Sequence, residues 1–206
     1  MKTVKPVYVG SRGLEKPNYG PGYIGFSYND SNLFSKGIVY FTKDEADNLS
    51  ISHTFVVIDA KTIAEAAVGG VKLVPIAKYF DNPHYAVFFK KPKNLTPEIS
   101  NRLVTEARSR SGRGYDYSLI VHFFLRKFFL YRWISESKLF SKQPSFFDSE
   151  DQEVCSEYVC EVLNVEPSYQ SLYPLNEYHP SKIYPLRLFY ADGENGVLEP
   201  WKFEEK

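Results

Sequence analysis

Between Ser52 and Phe89 the chain consists of short β-branched and aromatic runs parted by still shorter turns, a spacing that antiparallel strands satisfy and crossover connections do not. Ser52-His53-Thr54-Phe55-Val56-Val57-Ile58 reads as one strand and Tyr85-Ala86-Val87-Phe88-Phe89 as another. Thr62-Ile63-Ala64-Glu65-Ala66-Ala67-Val68 contains good helix formers. The Gly69-Gly70 stop and the following Val71-Lys72-Leu73-Val74 nevertheless favour two strands around a glycine turn. Gly37-Ile38-Val39-Tyr40-Phe41-Thr42 reads as a further buried strand ahead of this group. Residues 10–36 are rich in Gly, Pro, Asn and Ser, with Pro17-Asn18-Tyr19-Gly20-Pro21-Gly22 as the plainest turn cluster. The expected organisation is an irregular N-terminal arm over 1–36 and a single domain over 37–206.

The hydrophobic period then changes from two to that of a helix. Thr96 is a good N-cap, Pro97 sits where helices accept proline, and Ile99, Leu103, Val104 and Ala107 make one apolar stripe that stops near Ser111-Gly112. A second stripe, Val154, Tyr158, Val159, Val162 and Leu163, predicts a late helix that opens at Cys155. Ser149 and Gln152 offer a capping box that would start this helix several residues earlier. Between the two stripes, residues 117–134 carry Leu119, Ile120, Phe123, Phe124, Phe128 and Tyr131 on a wide apolar face, which suits either a core helix or a lid facing lipid or an acyl chain. His122, Arg126, Lys127 and Arg132 interrupt it, so it does not read as membrane-spanning. The tail is punctuated by prolines, with short strand candidates at Leu186-Arg187-Leu188-Phe189-Tyr190 and Val197-Leu198. The fold class is therefore α+β, an antiparallel sheet or small barrel packed against helices that include the late cysteine helix.

At 206 residues the chain can bury a core without disulfides or metal. Its 25 basic side chains are matched by 25 acidic ones, so no chain-wide positive field exists to hold a phosphate backbone, which argues against nucleic acid as a partner. Cys155 and Cys160 would point in different directions from one helix and are poorly placed to bridge each other. That usage suits a reducing compartment, and Met1 to Val7 carries charge with no apolar run behind it, so a cytoplasmic location is expected.

Cys155-Ser156-Glu157 places a thiol at the expected start of a helix, where unpaired N–H groups and the positive end of the dipole favour a thiolate and can receive an oxyanion. A thiol attacks acyl carbonyls well when a base shares its proton and a third group orients that base. His53 begins one strand and Glu65 lies on the next, so a hairpin would bring them within about two residues of being opposite, inside the reach of cross-strand pairs. A register slip of one residue would put them on opposite faces. His84 follows Asn82-Pro83 in an expected turn, His122 falls in the aromatic segment and His179 precedes Pro180, so each is read as structural or solvent-facing. The scattered histidines and the absence of Cys-x-x-Cys spacing give no metal site, and no glycine-rich phosphate loop is present.

A strand with Ser52-His53, a following strand with Ile63-Ala64-Glu65-Ala66, a downstream Tyr115-Asp116 and a late helix opened by Cys155-Ser156-Glu157 together resemble the permuted papain-like amidases of the YiiX and YaeF type, related to the NlpC-type cysteine peptidases. The resemblance runs from about Gly37 to Val162 and keeps that family's rearranged order, histidine and its polar partner first and cysteine helix late. It implies a circularly permuted papain-like domain with Cys155 as nucleophile, His53 as base and later acid, Glu65 orienting the imidazole, and Tyr115 lining the substrate site. The implied reaction is hydrolysis or transfer at an amide, ester or thioester through a Cys155 acyl-enzyme, with no cofactor. A small-molecule, peptide or lipid acyl substrate is the implied partner. A membrane surface is compatible with this, and the oligomeric state is left open. Two other readings share these residues: an acyltransferase, and a catalytically silent module that binds lipid or protein on the same fold.

Overall fold

The computed structural model describes residues 19–42, 49–114 and 154–200. The expectations for Tyr115, for the aromatic segment 117–134 and for the Ser149 and Gln152 cap lie outside the described residues. In chain order the elements are β1 (Ile24–Asn29), α1 (Leu33–Thr42), β2 (His53–Val57), β3 (Thr62–Ala67), β4 (Gly70–Pro75), α2 (Ala77–Phe80), β5 (Tyr85–Lys90), α3 (Pro97–Ser109), α4 (Cys155–Asn164), a 3-10 turn (Pro180–Lys182) and α5 (Pro185–Phe189). The fold is α+β, with one sheet in the order β4-β3-β2-β1-β5 and every neighbouring pair antiparallel. The sheet is open, ending at β4 and β5, rather than closed into a barrel. Among the described residues no helix is long and apolar enough to cross a membrane.

Strand alternation sorts the core onto two faces. Ile24, Phe26, Val56, Ala64, Ala66 and Phe88 point to one face and pack against Leu103 and Ala107 of α3, Val159 and Leu163 of α4, and Leu186 and Phe189 of α5. Phe55, Val57, Ile63 and Val87 point to the other, where Tyr79 of α2 covers them. α4 is buried almost all round, as expected of a helix enclosed by sheet and helices rather than laid on a surface. Tyr158 of α4 donates to the Ala107 carbonyl at 2.9 Å, and Arg110 links Glu106 at 2.6 Å to Glu161 at 3.5 Å, which ties α3 to α4. The Thr96 cap of α3 forms as expected, its hydroxyl accepting from the Ile99 N–H at 3.3 Å with Pro97 in the first turn.

Three expectations are corrected. Residues 24–29 are not part of an irregular arm; they are β1, in the interior of the sheet between β2 and β5. Ser27 and Asn29 made this stretch look like loop, yet Ile24 and Phe26 supply the period-two alternation that a half-buried strand needs. Gly25 is there because the Phe55 ring lies across it. A Cβ at this position would come within 2.0 Å of the ring, so Gly25→Ala is expected to cost about 1–3 kcal/mol through overpacking, read as a lower denaturation midpoint at an unchanged slope.

Residues 37–42 form the end of α1, not a strand. The side-chain oxygen of Asn32 accepts from the Ser35 N–H at 3.3 Å and its carbonyl accepts from Lys36 at 3.0 Å, so a local cap overrides β-branched composition. Residues 185–189 are the short helix α5, started by Pro185, and Leu198 makes only an isolated bridge to Pro92. The cysteine helix starts at Cys155 as expected, with Val154 before it extended (φ −88°, ψ 163°).

Candidate active site

The β2–β3 hairpin is set by the pairs Val56 with Ala64 and Val57 with Ile63. Continued along the strands, that register places Glu65 two residues from the position opposite His53, on the same face and within diagonal reach. The two side chains meet: His53 Nε2 lies 2.9 Å from Glu65 Oε2. Glu65 is only 3 % exposed, and burial alone would disfavour its charge. Two residues of α2 hold it as well, the Tyr79 hydroxyl donating to Oε2 at 2.6 Å and the Lys78 ammonium to Oε1. Burial raises the Glu65 pKa, but the hydrogen bond and charge of His53 and the charge of Lys78 outweigh it, and the carboxyl is lowered to about 2. Tyr79 is pushed the opposite way, first by burial and then by the carboxylate beside it, so its phenol stays protonated and keeps donating.

Glu65 engages His53 through Nε2, which leaves Nδ1 free of that contact. Burial pulls the imidazolium down, yet the electrostatic and hydrogen-bonding influence of neighbouring Cys155, followed by the Glu65 contacts, raises the pKa to about 9. The ring also stacks against Tyr79, with centroids 6.4 Å apart, which fixes its plane. Cys155 is the first residue of α4 and 4 % exposed. Val154 at the N-cap has no side-chain acceptor to offer the first turn, and the Cys155 N–H has no acceptor among the described residues. The entry to the helix is fixed from the other direction, by the Glu157 carboxylate accepting from the Val154 N–H at 3.4 Å. This first-turn carboxylate turns back to the chain, as the reciprocal half of a capping box does.

Cys155, His53 and Glu65 line one cavity of about 150 Å³ together with Lys78, Tyr79, Tyr85 and a polar wall of Ser27, Asn29, Ser35 and Ser52. All three residues singled out from sequence therefore converge. Lys78 and Tyr79 were missed. α2 is a four-residue helix directly after a strand, too short for any periodic signal, so nothing in sequence points to its contact with Glu65. The other described histidines lie elsewhere: His84 pairs with Asp30 at 2.8 Å on the surface, and His179 caps the 3-10 turn by accepting from the Ser181 N–H. Cys160 is fully buried one turn further along α4, and burial, followed by Glu161 and Glu157, pushes its thiol well up. Among the described residues no group of His, Cys, Asp and Glu is arranged to hold a metal.

A buried thiol near an imidazole that is itself bound to a carboxylate, with a helix N–H at the cysteine that has no acceptor among the described residues, is an arrangement that can attack a carbonyl and pass a proton to what leaves. Compared with known proteins, the chain matches no family model and no curated protein.

Proposed function

We propose that the protein is a cysteine hydrolase of the permuted papain-like type, acting on an amide, ester or thioester. The single observation that carries this reading is the convergence of Cys155 at the mouth of α4 with His53 and Glu65 of the hairpin in one cavity. The order of elements, base and orienting carboxylate early and nucleophile on a late helix, supports the permuted arrangement. In the first half-reaction the Cys155 sulfur forms a bond to the carbonyl carbon while the carbonyl electron pair moves to oxygen, opposite the Cys155 N–H. Collapse expels the leaving group, which takes the proton from His53. In the second half His53 removes a proton from water, the hydroxide attacks the thioester, and Cys155 departs with the acid released. Glu65 keeps the ring oriented and stabilises its charged form throughout, while Lys78 and Tyr79 keep Glu65 ionised and in place.

Competitive labelling tests this directly. Iodoacetamide at neutral pH is expected to modify Cys155 at least tenfold faster than Cys160, because Cys155 lines the cavity next to His53, whereas Cys160 lies outside it and burial pushes its thiol well up. Peptide mapping of the alkylated protein gives the ratio. Equal labelling of the two thiols defeats the proposal. Selective labelling with no acyl-enzyme from any activated ester would instead leave a binding module on this fold.

A further inference from the structure

One N–H satisfies half of a tetrahedral oxyanion, and the polar wall of the cavity contains a candidate for the other half. Resting on the hydrolase reading above, we propose that Asn29 is a catalytic residue whose side-chain Nδ2 donates the second hydrogen bond to the oxyanion formed on Cys155. Asn29 ends β1 and shares a face with Ser27, which pairs directly with His53 across β1 and β2. It therefore stands diagonally across the sheet from the base, about 7–8 Å away on strand geometry, far enough to leave a carbonyl group between them. It lines the same cavity as Cys155 and is 8 % exposed.

The orientation of the amide is fixed by its neighbours. Its Oδ1 accepts from the Ser31 N–H at 2.9 Å and from the Ser31 hydroxyl at 2.7 Å, and two donors on one atom identify that atom as the oxygen. The backbone N–H of Asn29 is bound separately to the Ser35 hydroxyl at 3.1 Å, which anchors the residue itself. Nδ2 is thereby left to the cavity with no partner among the described residues. An amide that lines the cavity together with Cys155 and keeps its N–H donors unused is placed for an anion that exists only during reaction, since such donors need no reorganisation when charge appears. Of the neighbouring donors, the Ser35 and Ser52 hydroxyls bind each other and Lys78 and Tyr79 bind Glu65, while the Ser27 hydroxyl is buried in the same cavity with no hydrogen-bond partner among the described residues, so it is the other donor the cavity holds in reserve. During acylation the C–S bond forms, the carbonyl π pair becomes the oxyanion held by Asn29 Nδ2 and the Cys155 N–H, and its return expels the leaving group protonated by His53.

Two reagents separate this role from a structural one. Iodoacetamide alkylates sulfur by displacing iodide at a saturated carbon and makes no oxyanion, whereas p-nitrophenyl acetate acylates through one. In Asn29→Ala, alkylation of Cys155 is expected to stay within about twofold of the parent, while acylation, followed as the nitrophenolate burst, falls roughly 10²-fold, the usual loss for one such donor. Asn29→Asp keeps the oxygen that Ser31 binds but replaces the donor with an acceptor, so it serves if the alanine variant folds poorly, and it should lose at least as much. Unchanged acylation in both variants overturns the proposal. So does a parallel fall in both reactions, which would mark a packing role. A parent protein whose Cys155 is alkylated but never acylated defeats the hydrolase reading itself, and the Asn29 assignment with it.

Discussion

His53→Ala is expected to slow acylation of Cys155 by an activated ester by about 10²–10⁴-fold, the range that a positioned acid and base contributes. The same change removes the cation beside the sulfur, so alkylation by iodoacetamide should slow too, which distinguishes this variant from those at Asn29. A stability signature accompanies it. The His53 pKa is raised from 6.5 to about 9: burial opposes the shift, and the contacts with Cys155 and Glu65 outweigh it. The stabilisation from its charged form is therefore complete below pH 6.5 and lost as pH rises towards about 9. Denaturation midpoints of the parent should fall over that alkaline interval, and those of His53→Ala should not. Because Cys155 is among the contacts that raise the imidazole, Cys155→Ala should move the alkaline fall to lower pH. A parent stability that is flat from pH 6.5 to 9 would contradict the ion pair.

Glu65→Ala is expected to produce the largest loss of stability, roughly 3–5 kcal/mol, because it removes a buried carboxylate and leaves a partly buried imidazole, a buried phenol and an ammonium facing an empty position. Chemical denaturation reads the loss, with Glu65→Gln as the shape-preserving control that retains part of it. The sign of the pH effect is opposite to that of His53. The Glu65 pKa is lowered from 4.5 to about 2, so its contribution is present above pH 4.5 and lost as pH falls towards about 2. A shift of that size corresponds to roughly 3 kcal/mol for a group so deeply buried. Together the two groups give full stabilisation between pH 4.5 and 6.5, with a separate limb on each side. Loss of the acid limb in Glu65→Gln, with the alkaline limb retained at lower amplitude, is the expected pattern. An acid limb that persists unchanged in that variant would show that other carboxylates dominate.

The trio proposed as catalytic was legible because two of its members lie on neighbouring strands of one hairpin. Strand period two and a short turn confine His53 and Glu65 to a few relative positions, and the observed register falls within them. Cys155 was legible because a helix with one apolar stripe has a definite beginning. What could not be read was the material that completes the pocket. β1 escaped notice because Ser27 and Asn29, the residues that face the cavity, replace the apolar ones by which strands are found. α1 was misread because Ile38 and Val39 favour strands locally, and only the Asn32 cap tips them into a helix. Lys78 and Tyr79 depend on a single turn whose value lies wholly in its contact with a residue on another strand. Residues chosen to face a polar cavity break the rules by which sequence reveals structure, and here they cluster around the cysteine.

The sheet order carries one more implication, for the timing of assembly. β2, β3 and β4 are joined by tight turns and can pair locally, whereas α4 lies far downstream and β1 must be held between β2 and a later strand. A growing or half-folded chain thus possesses its base and its carboxylate long before a sulfur reaches them. On the proposed reading, docking of α4 is the step that brings Cys155 to His53 and Glu65, so nucleophilic power and native packing would arrive in the same event.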